Sequence, residues 1–179
     1  MAIKTKLSPL ILSAVGLPAI IGLVAGIRIY LDRSQELVVN DPAANAITVH
    51  LVLAALAIIA AVLALRWSKE HHKPPLFLAP FSRHAEARVK ATLFFWRNFN
   101  LAGILRCLAT LILLYLLLWE PFRAAMQIVA ALDPNFTANA WGGPSYLGAS
   151  LAHWLDGALI FYAAAGLLHL VMVKLPRRK

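Results

Sequence analysis

This sequence predicts an all-α, integral membrane four-helix bundle, and three observations lead there. Four apolar runs, at about 9–30, 47–67, 101–119 and 149–173, are each long enough to cross a hydrocarbon core of ~30 Å at ~1.5 Å per helical residue. Thirteen of the 17 Lys and Arg residues cluster in the leader (Lys4, Lys6), the middle segment (Arg66, Lys69, Lys73, Arg83, Arg88, Lys90, Arg97) and the tail (Lys174, Arg177, Arg178, Lys179). The two other connections carry Arg33 and Arg123 against five acids, Asp32, Glu36, Asp41, Glu120 and Asp133. Lys and Arg are retained on the cytoplasmic side, so this asymmetry predicts an N-in/C-in bundle. Finally, hydrophobic residues make up 61% of the chain and mean hydropathy is +0.73, against the ~45–50% apolar share of soluble domains. The 179 residues then form one transmembrane domain, 1–179, with little left for a soluble module.

The first span follows a basic leader. It is longer than a signal-peptide core and is not followed by a small-x-small cleavage pattern, which predicts a retained anchor suited to a bacterial plasma (inner) membrane. Gly22 and Gly26 form a small-xxx-small step for close helix approach, and Pro18 is a site for a kink. The acidic connection 31–46 turns at Asp41-Pro42. The second span ends at Arg66-Trp67, a pair suited to the inner headgroup level.

Between the second and third spans, His71-His72-Lys73-Pro74-Pro75 predicts extended chain, since each proline disfavours helix before it. From Ser82 the pattern is helical again, with Ala85, Val89, Leu93 and Trp96 on one face and Arg88, Lys90 and Arg97 elsewhere. This segment is either an interfacial amphipathic helix or a cytoplasmic extension of the third span. The third span is read as ending at Trp119, which places Glu120 and Arg123 in the outer connection. Asp133-Pro134 and Trp141-Gly142-Gly143-Pro144-Ser145 predict tight turns before the fourth span.

The net charge of +9 does not signal nucleic acid, because the basic residues flank spans instead of forming one basic face. Contact with anionic lipid headgroups at the cytoplasmic face accounts for them. The single cysteine, Cys107, excludes an internal disulfide and a CxxC redox pair. His71, His72 and His84 lack nearby Cys or acidic partners and read as a solvated segment, so no metal site is expected. No nucleophile–base–orienter constellation is evident either, which argues against an enzyme.

Ionisable groups inside spans are costly and carry the functional expectation. Helix direction puts Arg28, His50, His153 and Asp156 in one outer layer, where they form either a ligand-binding pocket or a structural polar cluster. Asp156 is expected to pair with Arg28, while Arg106 and His169 fall in the inner half.

The size, the four spans, the inner termini and the histidines near the outer starts of spans two and four resemble bacterial cytochrome b561 in outline. That resemblance implies haem b ligated by His50 and His153. It supports one outer haem at most: His153 and His169 stand ~160° apart at ~100° per residue, and spans one and three carry no embedded histidine. Three functional classes follow. The leading one is a non-catalytic accessory or assembly subunit of a larger membrane complex, with other membrane-protein subunits and the lipid bilayer as partners and no cofactor. The others are a redox protein binding one haem or quinone, and a small-solute carrier or sensor with an outer polar pocket.

Overall fold

The computed structural model describes residues 6–39, 47–71, 76–94 and 100–175. Expectations for Lys4, Asp41-Pro42, His72, Lys73, the Pro74-Pro75 pair, Trp96, Arg97 and the last four residues lie outside them. The described chain is helical: α1 (Pro9–Leu31), α2 (Ile47–Glu70), a 3-10 turn (Leu76–Phe81), α3 (Arg83–Leu93), α4 (Leu101–Ala130), α5 (Pro134–Ala138) and α6 (Tyr146–Val171). Four of these, α1, α2, α4 and α6, are long and apolar enough to cross a membrane.

Helix starts follow local cap chemistry. Ser8, Ser82, Asn100, Asp133 and Ser145 each accept a backbone N–H of the first turn, and Pro9 and Pro134 occupy first-turn positions where no amide is needed. Gly143 takes a positive φ of 85° in the turn before α6, and Gly142 packs so closely on Gly148 that a Cβ would strike its carbonyl.

α4 is the central element, packed along α1 on one side and α6 on the other. Against α1 it runs parallel: a Cβ at Gly22 would overlap the Phe122 carbonyl, and one at Gly26 that of Met126. The predicted small-xxx-small step is therefore where two backbones meet, the usual way helices associate without a hydrophobic drive. In the other half of the bundle, Leu113 and Leu117 of α4 pack with Ala164, Leu168 and Met172 of α6 as the buried core. α2 stands apart. It meets α6 and the 3-10 turn, and only 6% of its apolar window is buried, the smallest share of the four spans.

Two span boundaries are corrected. α4 does not stop at Trp119 but continues for 30 residues to Ala130, about 45 Å. Glu120-Pro121 looks like an end in sequence, yet proline removes only one rung of the ladder, a loss that spans packed on both flanks tolerate. Because α1 stays apolar from Pro9 to Ile27 and its Gly22 and Gly26 face Phe122 and Met126, Glu120 and Arg123 lie within the apolar thickness. They are not in a connection. α6 begins at Tyr146, earlier than 149, because Ser145 supplies its cap.

α3 is a helix separate from α4, ending at Leu93. It lies where the described start of α1 and end of α6 meet. Ser8 N–H donates to Phe81 O (2.8 Å), Arg83 N–H donates to Lys6 O (2.9 Å), and Leu7 and Ser82 form an isolated antiparallel bridge. The opposite end is closed by α5: Asn135 binds Val38 N–H, Glu36 O and Ser34 O, so its side chain clamps the segment after α1.

Candidate functional site

Antiparallel packing of α4 on α6 builds a polar seam in the half of the bundle away from α3. Its register is set by three contacts. Trp154 Nε1 donates to Ala124 O (3.1 Å), Arg123 donates to His153 Nδ1 (2.7 Å), and Glu120 lies against Gly157, where a Cβ would be 2.9 Å from its Oε2. One turn further along the same register, Gln127 of α4 stands opposite Ser150 of α6. Both are buried, and Gln127 Nε2 and Ser150 Oγ have no hydrogen-bond partner among the described residues.

Three spans contribute ionisable groups here. His50 of α2 donates from Nε2 to Asp156 Oδ2 at 3.4 Å, and Arg123 reaches Glu120 Oε2 at 3.5 Å. His50 and Glu120 are 6% and 5% exposed, while the Asp156 and Arg123 side chains are 24% and 25% exposed, so each contact has one buried partner. Hydrogen-bond roles then constrain protonation. A guanidinium can only donate, so His153 Nδ1 accepts from Arg123 and the ring carries its proton on Nε2 as a neutral imidazole. Arg123 offsets Glu120. Asp156 accepts from His50 and also acts electrostatically on His153.

Three residues of the expected outer layer, His50, His153 and Asp156, are thus brought together, and the fourth is not. Arg28 binds Asp32 four residues along its own helix (2.5 Å) with its side chain 78% exposed. The expected Arg28–Asp156 pair is replaced by this local one, because Asp32 is a single turn away and Arg28 sits where α1 emerges. Glu120, Arg123, Gln127 and Ser150 were not singled out by sequence reasoning. The signal available was spacing: Glu120, Arg123 and Gln127 fall on one helical face once the helix is allowed past Pro121.

Arg88 is a second departure. The sequence pattern puts it off the apolar face of its helix, yet it is 5% exposed and caps the end of α6. Its guanidinium donates to the carbonyls of His169 (2.8 Å), Met172 (2.8 Å) and Val173 (3.0 Å) and to His169 Nδ1 (2.8 Å). Thr92 Oγ1 donates to Arg88 O and accepts from Val173 N–H. A helix end leaves its last carbonyls without partners, and Arg is the side chain whose fork reaches several at once. The remaining histidines near this end lie apart from one another: His71 stacks on Trp67 and His84 is exposed. Among the described residues no three His, Cys, Asp or Glu side chains converge as a metal site requires.

Compared with known proteins, the chain matches no protein-family model, no curated protein and no solved structure. The four apolar spans make it a multi-pass membrane protein by length and composition.

Proposed function

We propose that this chain is a proton-responsive carrier or sensor subunit of the bacterial plasma membrane, both termini cytoplasmic, whose outer half binds a proton at the His50–Asp156 pair. One observation carries the reading. Among the described residues the seam holds two carboxylates, one guanidinium and a histidine kept neutral by that guanidinium, so one negative charge is uncompensated unless the seam takes up a proton. An unbalanced charge within a span is costly, which favours loading that proton. Gln127 and Ser150 extend the seam toward the outer end, and buried polar atoms of this kind are ordinarily satisfied by bound water. They supply a route by which the pair exchanges protons with the outer solution.

The pair also ties α2, the least packed span, to the other three, so its protonation state bears on the position of α2. The bare apolar surface of α2 favours the accessory-subunit reading in the same molecule, since spans associate by packing and this one has little within its own chain. Haem ligation by His50 and His153, in contrast, requires His50 Nε2 to leave Asp156. Quinone binding has no separate support from the seam.

Proton uptake by the purified protein in weakly buffered detergent tests the proposal. Acidification is expected to load one proton that neither His50→Gln nor Asp156→Asn accepts, while nitrogen NMR of labelled histidine keeps His153 in its Nε2–H form. Uptake that is unchanged in both variants would overturn it. An absorption spectrum with a haem band lost in His50→Ala would replace it with the redox reading.

A further inference from the structure

At the other end of the bundle, a cavity of about 610 Å³ opens between α1, the 3-10 turn, α3, α4 and α6. Its body is apolar, with Leu10, Val15, Leu114, Leu118, Phe161 and Ala165 among the lining side chains. Packed interiors rarely leave space of this size, which lies within the ~300–1,000 Å³ of small-molecule sites. Water gains nothing there, since a water needs ~2–4 polar partners and the walls provide almost none. An apolar chain fits this lining.

The rim shows what that chain is attached to. Glu86 and Lys90 of α3 border the cavity, and Lys90 Nζ donates to Glu86 Oε1. The other Glu86 oxygen accepts from Ser8 Oγ at 2.6 Å. Arg83 also acts on Glu86 electrostatically, and its amide is bonded to the Lys6 carbonyl. Two cations, Lys90 and Arg83, therefore act on one carboxylate whose oxygens are already engaged. The net positive rim over an apolar body is complementary to a molecule with an anionic head and a long apolar tail.

We propose that this cavity holds one acyl chain of an anionic phospholipid, with the headgroup phosphate at Lys90 and Arg83. The inference rests on the membrane placement of the chain and is independent of the outer proton site. It assigns α3 the task of reading headgroup charge, with the segment that caps α6 as its support.

The test is photolabelling of the full-length protein in phosphatidylcholine vesicles doped with a diazirine-bearing phosphatidylglycerol, followed by peptide mapping. Labelling is expected to concentrate on residues 10–15 and 161–166, and to fall about 10-fold in the Arg83→Gln/Lys90→Gln variant, given the usual contribution of basic residues beside anionic lipid. Gly166→Leu should abolish it by filling the cavity, because a Cβ at Gly166 meets nothing within 4 Å. Should Gly166→Leu not fold, the double glutamine variant decides alone. Equal labelling by the phosphatidylcholine analogue would overturn the headgroup assignment. Labelling spread evenly over α2 would overturn the site, as would extraction of a free fatty acid or a quinone in place of phospholipid. Protein that never reaches the membrane fraction would instead sink the membrane placement, a separate outcome.

Discussion

Arg88 shows how a single side chain can hold an element in place. Its guanidinium satisfies three carbonyls at the end of α6, so Arg88→Ala leaves buried acceptors unpaired. At ~1–3 kcal/mol for each buried polar group left without a partner, with partial relaxation, the expected loss is about 3 kcal/mol. Arg88→Lys should rescue little, because an ammonium cannot span the same acceptors. Denaturant unfolding in detergent measures both variants; equal stability of Arg88→Ala and the parent would contradict the capping role. Glu86, on the same helix and outside the spans, gives a pH prediction. Its hydrogen bond from Lys90, then that from Ser8, holds its carboxyl below the ordinary value of 4.5. A lowered carboxyl stabilises the fold fully above the ordinary value and loses that contribution as pH falls through the lower one. Acid unfolding should therefore steepen below about pH 4.5 in the parent and flatten in Glu86→Gln.

Elements obey packing before composition. The approach of α1 to α4 depends on Gly22 and Gly26, and a side chain at either meets backbone carbonyl, which cannot rotate away. Gly22→Val or Gly26→Val should cost about 1–3 kcal/mol, the usual range for overpacking. Gly16→Val, at a position with nothing within 4 Å of its Cβ, serves as the control. Comparable losses at all three positions would show that helix propensity, and not the crossing, is being measured. α2 presents the opposite case. With little packing of its own, it should separate from α6 when the polar tie is removed. Spin labels on the ends of α2 and α6 away from α3 are expected to report a broader distance distribution in Asp156→Asn than in the parent. An unchanged distribution would mean that other contacts hold α2.

Across the whole molecule, the two ends of the bundle do different things. The end that carries α3 gathers the described start of α1 and end of α6 around Arg88, and a basic rim overlies an apolar cavity. The other end gathers His50, Glu120, Arg123, His153 and Asp156 around the α4–α6 seam. Between them lies a buried apolar cluster of Leu113, Leu117, Ala164 and Leu168.

Sequence alone determined that there are four apolar helices of spanning length, because apolar run length is a local property of consecutive residues. It also pointed to His50, His153 and Asp156, since a titratable group in an apolar run is conspicuous whatever surrounds it. Tertiary structure decided the rest. Whether α4 stops at Glu120-Pro121 depends on the helices beside it, and the partner of Asp156 depends on how α2 leans on α6. The burial of Arg88 depends on the end of α6 lying against it. Pairings of this kind join residues up to 106 positions apart, as His50 and Asp156 are, and no local pattern along the chain encodes such a distance.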